Sequence, residues 1–505
     1  MQLLLSFLAA LFTILPFALM GMAISTGVPF GRRTPSTAHT FSFSTAGAGL
    51  TPIAQTTALV GAMHTTGNAV ADTPYRIWDA IDADTRFGAG SGLALMCRAF
   101  FKQCAKQGAI GPILYAAGLT PPGAGTAHAQ TSTFGGAATA GGTGIVRIAG
   151  VPIQFAVTSG DAAATVATAF KAACDAKVAE LPVTSGVVGA VVTHTHLTKG
   201  EVGADVKYEL VQLPAGLTFA SAVFAAGAGV TDPTAALTAL RAFKIHGVAI
   251  ENRKAADVTI LKADAALAWG PFSKAWRHYY IGDASTLATA DTLATGSNDY
   301  AVIVVQWEAS PTLGGQLAAA AVAKFYSTDR PNANFNGQEI VGVPPADAAV
   351  YTTAELETAL AAGTIPILPN AAKDAGVIVR AVTTKATTAG ARDDGAYDLC
   401  ASRTAAAIAE QCDITWQRDF TGLEAVFVSD PDDPDNTLDK ATDMVKSVHR
   451  KYAALRPPVL RNVDEFIEQI RVEETPGVVG GLDFDNPFRV AGPINTADFR
   501  HRSYL

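Results

Sequence analysis

The chain has 505 residues, 49% of them hydrophobic and 16% charged, with a formal net charge of −8. That length suggests about three domains with ample core, and the negative balance disfavours a nucleic-acid-binding protein. The charged fraction is below the usual ~25%, and Ala, Gly and Thr fill the difference, so the surface is one that can pack against other protein.

From Met1 to Ala23 the chain carries no charge, and LLLSFLAALFTILPFALM is long enough to span a bilayer. A secretory signal normally opens with Lys or Arg, which is absent here, although Gly21-Met22-Ala23 would pass as a cleavage site. Three readings stand. The preferred one starts the protein at Met22, leaving residues 1–21 outside it; a cleaved signal and a membrane anchor are the others. Residues 24–50 are rich in Pro, Gly, Ser and Thr. Phe41 and Phe43 alternate there with polar residues, as on one face of an extended strand, so the segment reads as an arm or a disordered tail.

Next, TTALVGAM (56–63) predicts a strand, and GLALMCRAFFKQCAKQG predicts a helix with Leu93, Met96, Phe100 and Cys104 on one stripe. Residues 119–144 are low in complexity, with Pro121-Pro122, and read as a linker or boundary. Val151, Ile153, Phe155 and Val157 alternate as a half-buried strand requires. Asp161 is then expected to cap a helix striped by Val166, Phe170, Cys174 and Val178. Strands near Val191–Leu197 and Asp205–Leu213 complete a small module.

From about 230 to 385 short apolar strands alternate with helices. YAVIVVQW (300–307) is a continuous apolar run, typical of a strand buried on both faces. Thr352-x-x-Glu355 forms a capping box. This alternation predicts an α/β layer with a largely parallel sheet. The last part opens with the helix YDLCASRTAAAIAEQC and the acidic loop DPDDPDN (430–436). A second helix carries the stripe Leu438, Ala441, Val445, Val448, Tyr452 and Leu455, and Pro457-Pro458 stops it. VDEFIEQI forms a further short helix. The end is extended, with Leu482 alternating with Phe484, and Phe488 with Val490.

Motifs with chemistry are weak. Gly88-Ala-Gly90-Ser-Gly92 lacks the Lys of a P-loop and the register of a nucleophile elbow, and reads as a helix-entry turn. His194-x-His196 has a spacing some metal sites use, with Glu201 and Asp205 within reach in sequence, but an exposed strand face is the favoured reading. Prolines break any Ca²⁺ register in Asp430–Asp439, leaving helix capping. Lys440, Lys446, His449, Arg450 and Lys451 are expected on the outer face of their helix, either as a solvated face or as a docking surface for an acidic partner. The five cysteines (Cys97, Cys104, Cys174, Cys400, Cys412) are sparse and scattered, which predicts reduced thiols. No catalytic set, cofactor or metal is expected.

Several stretches together resemble the tail sheath proteins of Mu-type contractile bacteriophages. They are RFGAGSGLALMCRAFF (86–101), GIVRIAGVPIQFAVTSGDAAATVATAF (144–170), LPVTSG (181–186), KGEVGAD (199–205) and the final GPINTADFRHRSYL. The resemblance covers essentially 22–505 in the family's order and is weak around 430–480. It implies an α/β and α+β multidomain fold, with a subtilisin-like α/β core, an inserted small β-rich module and extended terminal arms. The implied division is 1–21 leader, 22–50 arm, 51–118 N-terminal region, 119–219 inserted module, 220–390 subtilisin-like domain, 391–480 C-terminal α+β domain and 481–505 arm. The arms would link copies by strand addition, through Ile24, Val28, Phe41 and Phe43 at one end and Leu482, Phe484, Phe488, Val490 and Phe499 at the other. Lys440, Lys446, Arg450 and Lys451 are the candidate tube-facing residues. The implied role is a virion structural subunit, assembled in the host cytoplasm into a helical homopolymer. Its partners would be a tail tube protein and baseplate and tail terminator proteins, with no direct nucleic-acid contact and no stable membrane insertion. The alternative is a secreted or surface-layer structural protein using residues 1–23 as its signal.

Overall fold

The computed structural model describes residues 53–108, 111–270, 273–345, 351–393, 395–420, 427–428, 432–433, 435–476 and 482–492. The leader and the N-terminal arm, with Ile24, Val28, Phe41 and Phe43, lie outside them, as does Phe499.

A nine-stranded mixed sheet organises the body. It opens with β1 (Thr56–Ala62), β2 (Pro74–Ile77), α1 (Ala80–Phe87), α2 (Gly92–Gln107) and β3 (Ile113–Leu119). The chain then leaves the sheet for β4 (Ala127–Gly136), β5 (Gly142–Ile148), β6 (Val151–Val157), α3 (Ala163–Asp175), β7 (Val183–Val188), β8 (Val191–Lys199), β9 (Tyr208–Gln212) and β10 (Leu217–Ala225). It returns through α4 (Thr234–Leu240), β11 (Gly247–Ile250), α5 (Ala255–Ala268), β12 (His278–Asp283), α6 (Leu287–Ser297), β13 (Val302–Gln306), α7 (Gly314–Phe325), β14 (Glu339–Ile340), α8 (Thr353–Ala362), β15 (Thr364–Pro369) and β16 (Gly376–Ile378). The small hairpin β17 (Thr387–Thr388) and β18 (Ala391–Arg392) follows. The chain then runs through α9 (Leu399–Asp419), α10 (Thr437–Ala454), α11 (Val463–Ile467), β19 (Arg471–Glu474) and β20 (Leu482–Asp485).

The sheet order is β2-β3-β1-β11-β12-β13-β15-β16-β14. Its middle, β3 to β15, is parallel; β2 and β16 run antiparallel to it, and β14 pairs antiparallel with β16. Parallel strands need cover on both faces, and alternate residues supply it. Leu59, Ala249, Tyr280 and Ile303 face α2 and α7, while Val60, Val248, Tyr279 and Val302 face the α4–α5 side. All of β13 is buried, as its unbroken apolar run predicts. The capping box on α8 is present, with Thr352 Oγ accepting from the Glu355 amide at 3.2 Å and Glu355 Oε2 accepting from the Thr352 amide at 2.7 Å.

The inserted part builds two small sheets, β10-β4-β8-β7 and β6-β5-β9, around α3. Phe134 is its hub, meeting Phe155, Phe170 and Phe219 edge-on at 5.4–5.8 Å. Three expectations are corrected here. The stretch 119–144 is no simple linker, because it holds all of the ten-residue β4. Asp161 does not cap α3; its carboxylate accepts from the Thr158 amide at 2.7 Å and ties the preceding turn instead. Val178 lies past the end of α3 and is exposed, so only Val166, Phe170 and Cys174 form the buried stripe. In addition, β10 carries the unit to Ala225, past the expected boundary at 219.

Candidate functional site

In an open α/β sheet, ligands bind beyond the carboxyl ends of the strands, where the strand order reverses. Here that point lies between β1 and β11, and protein fills it. Glu251, directly after β11, is buried and accepts from the Ala62 amide at the end of β1 at 2.6 Å. Its carboxylate reaches the first residue of α2, where a Cβ on Gly92 would lie 1.8 Å from Glu251 Oε1. The cavity left beside it, bordered by Asp205 and the start of α7, is about 10 Å³. This is room for about one water.

The inserted module closes this end from above. Arg253 donates to Asp205 of the module (Nε to Oδ2, 3.0 Å) and to Asp283 at the end of β12 (Nη1 to Oδ1, 3.1 Å). Lys207 donates to the Ala284 carbonyl at 3.2 Å. Leu95 of α2 and Leu313, just before α7, belong to the module's apolar core. Gly90, at φ +78°, lets the α1–α2 turn approach the module, since a Cβ there would lie 2.3 Å from the Leu181 carbonyl oxygen. The Gly88–Gly92 motif is thus a helix entry as expected, with Ser91 Oγ accepting from the Ala94 amide at 3.2 Å.

The C-terminal helices dock at the opposite, amino end of the strands. Glu410 of α9 accepts from His246 Nε2 at 2.9 Å and from Lys244 at 2.8 Å. Burial works against its ionised form, but His246 and Lys244 hold its carboxyl below the ordinary range. His246 Nδ1 accepts from the Thr56 amide at 3.0 Å, which fixes the neutral tautomer with its proton on Nε2. His278, at the start of β12, lies between Tyr326 and Ser402 of α9, and burial pushes it down to about 3. The outer side of α9 packs on α10 through Ile408, Val448 and Tyr452.

The expected arm residues at the C-terminal end fold back on this unit. β20 pairs with β19, placing Phe484 opposite Val472. Phe484 is 42% exposed and meets Trp416 edge-on at 5.8 Å. Phe488 lies 6.1 Å from the His449 ring, and Val490 bridges to Leu460. Leu482 pairs with Glu474 at the hairpin end. Among the described residues, β19 and β20 pair only with each other.

The basic stripe is shorter than the sequence implies. Lys440 pairs with Asp435, and Lys451 lies close enough to Asp419 to help hold that carboxyl down, after the larger effect of Arg418. His449 is buried under Phe488 rather than on the outer face, a correction, and burial lowers its pKa. Among the described residues Lys446 and Arg450 make no ion pair. His194 and His196 are also buried, not exposed as expected. His194 bonds Ser185 Oγ at 2.8 Å and Ser132 Oγ at 3.1 Å, and His196 bonds Thr198. Glu201 and Asp205 point instead to Lys254 and Arg253. No group of three or more metal ligands occurs among the described residues. The cysteines are all free thiols. No helix among the described residues is long and apolar enough to cross a membrane.

Compared with curated proteins, the chain is 28% identical over 317 residues to the Mu-like prophage FluMu tail sheath protein of Haemophilus influenzae. The resemblance to the Mu-type tail sheath family stands. The match takes in 61% of this chain and spans 64% of that relative's length. No family model matches. Among solved structures, the chain is similar to a sheath tail protein from Listeria innocua, with a TM-score of 0.49 and 11% identity over 86% of this chain and 92% of that one. A sheath tail protein from Desulfitobacterium hafniense gives 0.45 and 13% over 87% and 93%. A chain in the baseplate of the anti-feeding prophage gives 0.48 and 11% over 94% and 100%.

Proposed function

We propose that this chain is the structural subunit of a contractile tail sheath, polymerising helically around a tail tube and contracting to drive the tube through a host envelope. The observation that carries this reading is the 317-residue similarity to a Mu-like prophage tail sheath protein. It favours a sheath over a secreted or surface-layer protein. In this reading residues 22–50 and 493–505 are arms, 119–225 the inserted module, 226–390 a subtilisin-like domain and 391–492 the C-terminal domain, the expected bounds at 219 and 481 being moved by β10 and β20. The partners are further copies of the chain, a tube protein, and baseplate and terminator proteins. The product is a virion tail assembled in the host cytoplasm.

The β19–β20 ladder supports the linking role. Among the described residues this ladder has no third strand, and unpaired strand edges are templates for an added one. An arm from a neighbour can supply that strand, with main-chain hydrogen bonds giving the link and alternate side chains the register. Ile24, Val28, Phe41, Phe43 and Phe499 are the arm residues proposed to seat in this way, and Leu482, Phe484, Phe488 and Val490 belong to the acceptor side. Lys446 and Arg450 are the cations proposed to face the tube.

Removing 481–505 would delete β20 itself, so the informative truncation ends at Gly492. Sedimentation should show large polymers for the full chain and folded protomers for the truncated one. Equal polymerisation of both would remove the C-terminal arm from the account.

A further inference from the structure

A groove of about 700 Å³ opens between the sheet body, the first turns of α9 and the chain's terminal segment. Its floor is aromatic: Trp269 meets Tyr300 edge-on at 4.9 Å, and Phe488 forms part of the wall. Its charge is cationic. Arg461 and Arg489 both line it, and among the described residues neither has an acidic partner. The groove's own acid, Asp398, is already held by Arg380 at 2.9 Å. The terminal segment is fixed at this wall, since the Arg461 amide donates to the Arg489 carbonyl and the Ala491 amide to the Val459 carbonyl, at 2.9 and 2.8 Å. Gly492, the last described residue, is itself at the rim.

We propose that this groove receives the chain's own residues 493–499, parking the C-terminal arm on its own subunit. The segment Pro-Ile-Asn-Thr-Ala-Asp-Phe begins where Gly492 leaves the rim. Its apolar side chains, Ile494 and Phe499, suit an aromatic floor. Its one charge, Asp498, suits Arg461 and Arg489, which have no acidic partner among the described residues, and a carboxylate there can be met bidentately. Because the segment is tethered at the rim, its effective concentration is on the order of millimolar. A dilute protomer therefore fills the groove from its own chain before any second copy can. The arm of a free subunit is occupied, and becomes available for strand addition only when a neighbour's edge outcompetes the groove.

The test uses the full chain with Asn495→Cys carrying an environment-sensitive dye, the native thiols being buried or partly buried. The expected emission is that of an apolar site and is unchanged on dilution. It should move to the solvent value in Ala405→Trp, which fills the groove from α9, and in Arg489→Glu, both with unchanged melting. Solvent-like emission in the unsubstituted background overturns the proposal. So does an apolar signal that disappears on dilution, which would make the occupant a second copy's segment. The readout is on dilute protomers, so it stands or falls separately from sheath formation.

Discussion

Glu251 concentrates the chemistry of the sheet's carboxyl end in one side chain. Burial raises its carboxyl to about 7, with the Ala62 amide pulling the other way and Asp205 adding to the rise. An acid raised from 4.5 binds more protons folded than unfolded between those values. Its contribution is therefore complete below about pH 4.5 and is lost as pH rises through about 7. Glu251→Gln should flatten the fall in unfolding free energy across that window, by up to about 3 kcal/mol at its upper end. Identical pH profiles for the two proteins would show that the site does not retain the proton. Gly92 is the matching half of the contact. Gly92→Ala should cost about 1–3 kcal/mol by overpacking, and Glu251→Ala in that background should recover part of it. A double-mutant cycle measured by urea unfolding reads this coupling; strict additivity would mean the two positions do not press on one another.

At the scale of elements, docking of the inserted module depends on Arg253. Removing its guanidinium leaves Asp283, which is 0% exposed, without its cation. Stranding a buried charge costs about 3–5 kcal/mol. Arg253→Ala should accordingly loosen the module, with faster proteolytic cutting near 119–126 and 226–233. An unchanged cutting pattern would place the docking energy in the Leu95 and Leu313 contacts instead. Much of this element plan was legible from periodicity, including the all-buried β13, the α2 stripe and the α8 capping box. What escaped was decided by long-range pairing. β4 hides in a Gly/Ala/Thr stretch because its small residues are buried by β8 and β10, which follow far along the chain. The His194 face was visible as a strand face, but what covers it, α3 and Tyr208, is not written in the strand. His449 was misplaced for the same reason, since Phe488 reaches it from the far end of the sequence.

At the scale of the whole molecule, the sheet is covered at both ends by its own chain. The module fills the carboxyl end where an α/β enzyme would hold a ligand, and α9 seals the amino end through Glu410 and Ser402. Among the described residues, what is left without a strand or ion-pair partner is edge and surface: the outer edges of the β19–β20 ladder and the Lys446–Arg450 face. In the proposed sheath role such a subunit would work by being joined to others, and arms acting as hinges would let rigid bodies slide from a metastable array to a lower-energy one. Lys446→Glu with Arg450→Glu should weaken co-assembly with a tail tube protein, and Arg450→Glu alone, at an exposed site, should leave stability within about 0.5 kcal/mol. Unaltered co-assembly would move the tube-facing surface elsewhere. The account's central claim is tested most directly by electron microscopy of the purified full chain, alone and with a tail tube protein. Hollow helical polymers, lost when the chain ends at Gly492, are the predicted result. Dispersed protomers under both conditions would contradict it.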